Sequence, residues 1–113
     1  MTMNNGKLET VLGEGTILKG DLVSTGIIRL DGKFGGSVNG GSIIIGKAAV
    51  VEADIKCVDM IIYGKVKGNV TADKNVEIQP SGELIGNLKA SSSNIMKGAR
   101  FVGKCDLRIA DET

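Results

Sequence analysis

Few side chains in this 113-residue sequence could do covalent or proton-transfer chemistry: two cysteines, Cys57 and Cys105, one tyrosine, Tyr63, and an acidic and basic complement of 13 against 14, with no histidine. The commonest general base and the commonest metal ligand are therefore missing. Two cysteines far apart in sequence do not make a zinc site. Both read as small buried hydrophobes with inert thiols. Three strings imitate motifs and fail on context. Gly13-Glu14-Gly15 lacks the third glycine and the following helix of a dinucleotide fingerprint, and Gly46-Lys47 lacks the Ser/Thr of a phosphate loop. Asn69-Val70-Thr71 has the form of a glycosylation sequon but falls in a strand pattern. The expectation is a non-enzyme with no catalytic, metal or cofactor-binding residue and no cofactor.

The remaining composition describes the framework. Seventeen glycines, 13 Ile and 10 Val stand beside one Pro, two Phe and no Trp. Glycine and β-branched residues both disfavour helix, so the balance predicts an all-β chain of short strands and tight turns. A net charge of +1 leaves no electrostatic footprint for nucleic acid, and so few aromatics make a poor stacking platform for single strands. No apolar run approaches the ~20 residues needed to span a membrane. The start, MTMNNGKLET, lacks the apolar region of a signal peptide. A cytoplasmic location is expected, with peripheral placement at the inner face of the cell membrane left open, as is direct membrane binding.

One five-residue pattern recurs: large apolar, any, Gly or Ala, polar, apolar. It reads Leu18 to Leu22, Phe34 to Val38, Val51 to Ile55, Val66 to Val70, Leu84 to Leu88 and Phe101 to Cys105. Successive units are offset by 16, 17, 15, 18 and 17 residues. The alternation extends to Ser24, Gly40, Cys57, Ala72, Ala90 and Leu107, so one face of every unit is free of charge and of amide side chains. Period-two alternation with one dry face is a half-buried strand. Between units lies a shorter strand, ending in turn at Leu30, Ile45, Ile62, Ile78 and Ile95, and a glycine-containing turn follows each time. Repetition of two strands and their corners every ~17 residues predicts a β-solenoid of about six coils. At about 4.8 Å per coil it is a rod roughly 29 Å long. The Gly/Ala column is expected where a side chain would strike the opposite wall. Three segments are predicted: a flexible tail over 1–12, the solenoid over 13–109 and a short tail over 110–113.

The units Gly64 to Val70, Gly82 to Leu88 and the closing Ala99 to Cys105 resemble the repeat of the bactofilins, bacterial polymer-forming, cytoskeleton-like proteins, and the resemblance extends over about 13–109. It implies a single-domain, right-handed, three-sided parallel β-helix. It also implies nucleotide-independent assembly into non-polar filaments with head-to-head and tail-to-tail contacts, and a scaffolding role in cell shape. Cell-wall enzymes and inner-membrane proteins are the partners it suggests, beside the chain itself. The family's C-terminal interface uses an aromatic at the position matching Phe101.

The residues alone lead toward polymerisation independently. First and last coils of a solenoid present unpaired edges and a slice of core, and proteins usually cover them with a polar cap. Little cap is evident here. Phe101, Cys105, Leu107 and Ile109 form the expected lip at one end, and Val11, Leu12, Leu18 and Leu22 at the other. An end that meets its own copy makes an isologous contact. Ile44, Ile61 and Tyr63 point outward and are candidates for a lateral contact, against the simpler reading of an ordinary cross-strand pair. Lys33, Lys47 and Lys65 follow turn glycines and form either a basic ridge toward anionic lipid or a solvated edge that blocks wrong strand pairing. The rival function is a monomeric or short-oligomer adaptor that binds a protein or the membrane surface. A hexapeptide-repeat acyltransferase is more distant, since its coils hold to 18 residues and it uses a catalytic histidine.

Overall fold

The computed structural model describes residues 8–107, and the side chains of 11–106. Fifteen strands and no helix make up these residues. They fall into six coils. Coil one is β1 (Leu8–Leu12) and β2 (Ile17–Val23); coil two is β3 (Ile27–Leu30) and β4 (Lys33–Asn39); coil three is β5 (Ser42–Ile45) and β6 (Val50–Cys57). From coil four the long strand is split in two. There β7 (Asp59–Ile62) precedes β8 (Lys65–Lys67) and β9 (Val70–Ala72), followed by β10 (Asn75–Ile78), β11 (Glu83–Ile85) and β12 (Leu88–Ala90). Coil six is β13 (Ser92–Ile95), β14 (Arg100–Val102) and β15 (Cys105–Leu107).

All pairings run between successive coils and all are parallel. One sheet stacks β1-β3-β5-β7-β10-β13; the other stacks the long strands and their split successors. In its split coils the second sheet has two limbs, which with the first sheet gives three sides. Register follows the sequence repeat residue for residue: Leu18 pairs with Phe34, Phe34 with Val51, Val51 with Val66, Val66 with Leu84 and Leu84 with Phe101. Most of the wobble in coil length is absorbed at one corner. There Asp31-Gly32 and Tyr63-Gly64 make short links, whereas 46–49, 79–82 and 96–99 make longer turns closed by backbone bonds such as Ala49 N–H to Gly46 C=O, 3.0 Å.

The chain enters the fold earlier than expected. Strand β1 occupies Leu8–Leu12, which the sequence reading assigned to the tail, and pairs with β3. It supplies coil one with the short strand that every later coil possesses. Leu12 stacks on Leu30, is 8% exposed and belongs to the core. The remaining residues of both expected tails, and Ile109, lie outside the described residues.

Alternation drives the packing. In β6 the odd-numbered Val51, Ala53, Ile55 and Cys57 are buried, while Glu52, Asp54 and Lys56 are exposed. In the first sheet Leu30, Ile45, Ile62 and Ile78 stack into a column with no exposed surface. Each such side chain contributes about 1.5–3 kcal/mol by leaving water. The described core contains no buried polar or charged residue and no orphaned side-chain polar atom. Coil-to-coil hydrogen bonds instead run along the outside, as from Ser37 Oγ to Asp21 Oδ1 (2.7 Å) and from Ser81 Oγ to the Tyr63 carbonyl (2.8 Å).

The glycine column differs from expectation. Gly20, Gly36, Gly68, Gly86 and Gly103 all have φ between 130° and 139°, and Gly36 is exposed rather than facing an opposite wall. In coils four to six this glycine stands where the long strand breaks into its two limbs. Few L-residues tolerate such a φ. A Cβ on Gly86 would also collide with the carbonyl oxygen of Gly68 beneath it, whereas one on Gly20, in the first coil, would meet nothing within 4 Å. Ala53 occupies the same column without a positive φ, within the unbroken eight-residue β6.

These two glycines separate torsional strain from collision. Gly20→Ala should cost about 1–3 kcal/mol, the strain of an L-residue at that φ. Gly86→Ala should cost about 3 kcal/mol or more, because the backbone beneath must also shift. Urea unfolding of both variants decides this, and equal losses would remove the collision from the account.

Candidate functional site

Among the described residues the middle of the solenoid is sealed, and each end coil leaves some inward side chains partly uncovered. Leu18 and Phe101 terminate one column; Leu18 is 44% exposed and Phe101 half-buried, while the four residues between them are at most 3% exposed. The difference is stacking: an interior residue has a coil on both sides, an end residue on one. Leu22, at the next inward position of coil one, is likewise half-buried, and Cys105 at the matching place in coil six is exposed. Leu107 pairs with Ala90 through its backbone, and its side chain lies outside the described set.

Two of the expected end residues have other positions. Leu12 is covered in the core, as described above. Val11 is 57% exposed, but its register partner is Arg29, which pairs onward with Ile44 and Ile61. It therefore belongs to the outward column of the first sheet and not to the apolar lip. The residue overlooked at the C-terminal lip is Ile95, which continues the column of Ile62 and Ile78 and is 44% exposed. Its column membership was readable from the spacing of the short strands. The polar neighbours Ser92, Ser93 and Asn94 obscured it. Together Phe101, Ile95 and Cys105 give coil six an apolar rim; Leu18 and Leu22 do the same for coil one.

Unpaired backbone accompanies these side chains. Within the described residues β1 and β2 pair on one side only, as do β13, β14 and β15. Parallel edges of this kind can accept a further strand. A shallow groove of about 260 Å³ lined by Ile17, Leu18, Phe34 and Val50 opens beside the first coil.

The candidate lateral residues do come together. Ile44 and Ile61 are direct register partners on the outer face of the first sheet, both half-buried, with Tyr63 exposed two residues beyond Ile61. The basic ridge is less continuous than expected: Lys33 and Lys65 share a column, but Val50 separates them, and Lys47 sits in a corner turn.

The two thiols part company. Burial, with help from Asp59 and Asp73, pushes the Cys57 thiol from 9.0 up to about 12. Cys105 is exposed, its Sγ 3.9 Å from Ser93 Oγ, contrary to the expectation of two buried cysteines. The physical reason is position: among the described residues no coil lies above coil six to cover it.

A six-coil, all-parallel, all-β architecture of this kind belongs to the class of β-solenoid proteins. The bactofilin family model, described as polymer-forming cytoskeletal, matches residues 10–106, and the chain belongs to that family. It is 30% identical over 99 residues to bactofilin BacO of Myxococcus xanthus strain DK1622, covering 87% of this chain and 79% of that protein. Identity to bactofilin BacP of the same organism is 28% over 99 residues, and there the match spans 41% of the relative. A cryo-EM reconstruction of Thermus thermophilus bactofilin double helical filaments superposes with a TM-score of 0.81 at 33% identity, covering 88% of this chain and all of that one.

The thiol contrast has two consequences. In the unassembled chain a thiol reagent at pH 8 should modify one cysteine per folded molecule quickly, and Cys105→Ser should abolish that fast phase. The Cys57 proton is held more tightly in the folded state than in the unfolded one. Stability is therefore full below pH 9, falls between pH 9 and about 12 by up to about 1.4 kcal/mol per pH unit, and that component of the slope vanishes in Cys57→Ala. Denaturant titrations across that range check the sign.

Proposed function

We propose that this chain assembles end to end, without nucleotide, into non-polar filaments that act as a scaffold. The observation that carries the reading is the pair of open ends, with Leu18 and Leu22 at one and Phe101, Ile95 and Cys105 at the other. Family membership and the resemblance to a subunit of a bactofilin filament support it. Each end meets its own copy, so both contacts are isologous and the filament has no polarity. Phe101 is the anchor at the C-terminal contact. It packs on Leu84, and no further coil lies on its other side among the described residues, so it can bury against a second chain, where an aromatic removes the most area from water. As a scaffold the filament holds partners in cell shape or cell-wall processes, in the cytoplasm and at the inner face of the membrane.

Negative-stain microscopy of the purified protein without nucleotide tests the reading. Filaments are expected from the parent chain. In Phe101→Arg, whose charge would be forced into a desolvated contact, they should be at least tenfold shorter, with circular dichroism confirming an intact β fold. A monodisperse parent protein would favour the adaptor instead, and filaments of normal length in Phe101→Arg would remove that residue from the interface.

A further inference from the structure

The outer face of the first sheet has a pattern that neither the fold nor the end contacts require. In coils two to five its central column reads Arg29, Ile44, Ile61, Glu77, flanked by Val11 in coil one and Asn94 in coil six. Read in reverse with charges exchanged, the four middle residues give the same sequence. Beside it runs a second outward column of Asp31, Gly46, Tyr63 and Gln79, and on the other side Ile27, Ser42, Asp59 and Asn75. We propose that this face is a lateral contact between two copies of the chain lying antiparallel, related by a twofold axis that runs along the strands between coils three and four.

That axis sends coil two onto coil five and coil three onto coil four. Arg29 then faces Glu77 of the second copy, and Ile44 faces Ile61. Asp31 faces Gln79, an amide that can donate to it, and Ser42 can donate to Asp59. Tyr63 lies over Gly46 and the Asp31 carboxylate beside it. No like charges lie directly opposite each other among these residues. The other twofold arrangement, with the axis along the solenoid, pairs each coil with itself. It sets Arg29 against Arg29 and Glu77 against Glu77 around an identical isoleucine pair, so charge selects the antiparallel pair. Local bonds hold the charged groups in place: Arg29 Nε is 2.8 Å from Asp31 Oδ2, and Gln79 Nε2 donates to Glu77 Oε1 at 3.1 Å.

Size sets the mode of use. Six strands at ~4.8 Å and four residues at ~3.3 Å give a face of roughly 380 Å² per copy, against about 800 Å² in a standard stable interface. Such a contact is weak between two single chains and gains strength when rods carrying several copies lie side by side. It is independent of the end contacts and uses none of their residues.

The test is a zero-length carbodiimide crosslink in the Arg29→Lys variant at high protein concentration, with equal parts of isotopically heavy and light chains. The expected product joins Lys at 29 of one chain to Glu77 of the other, and Ile44→Ser/Ile61→Ser should lower its yield at least tenfold. Residues 29 and 77 lie three coils apart, roughly 14 Å, in one molecule, so the link reports on a second copy whether or not filaments are present. Absence of a mixed heavy–light 29–77 product overturns the proposal. A complementation experiment adds an independent check. R29E and E77R should each lose lateral association, as read by light scattering and filament width, because each sets like charges together. An equimolar mixture of the two restores opposite charges at both ends of the patch and should recover it. A mixture no better than the separate variants would also overturn the antiparallel arrangement.

Discussion

Everything in this protein depends on one requirement: the inward side chains of a coil have no partner within their own coil. Ile45 is shielded because Leu30 lies on one side and Ile62 on the other. The same parallel ladder that satisfies the backbone places those side chains in contact. Closure is therefore a property of neighbours, and an end coil lacks half of it. The half-buried state of Phe101 and the exposure of Leu18 are the fold's own geometry left unfinished. The half that an end coil lacks is a second apolar surface of the same kind.

The repeat was legible because stacking imposes it. Every inward column must be apolar in every coil, so the six-unit pattern and the register of the long strands could be read directly. The short strands were equally clear where Ile or Met filled them. Two features escaped for physical reasons. Strand β1 is followed by Gly13-Glu14-Gly15, a corner that resembles a linker, and its partner lies 18 residues downstream, so no local signal marks it as a strand. The glycine column was recognised as a column but its cause was misjudged. Sequence reveals that only small residues occur there; whether the limit is a wall, a torsion angle or a carbonyl below requires coordinates.

Of the candidate surfaces, the lips at Phe101, Leu18 and Leu22 followed from coil order alone. Val11 and Leu12 were misplaced together, since assigning them to a tail removed the alternation that distinguishes them: Leu12 inward under Leu30, Val11 outward beside Arg29. Ile44 and Ile61 were placed correctly as outward neighbours. Their charged flanks, Arg29 and Glu77, gained meaning only when register showed all four in one line.

The interior columns have a further consequence. Leucine, isoleucine, valine and methionine follow one another with no buried polar residue among the described coils to mark which coil is which. Any coil offers its neighbour nearly the same surface. The number of coils is thus set by gene length rather than by the packing, and duplication or loss of a single repeat would change the length of the rod by one step while keeping its apolar columns continuous. Such a chain is a ruler whose graduations can be added or removed, while its two end coils keep their identity.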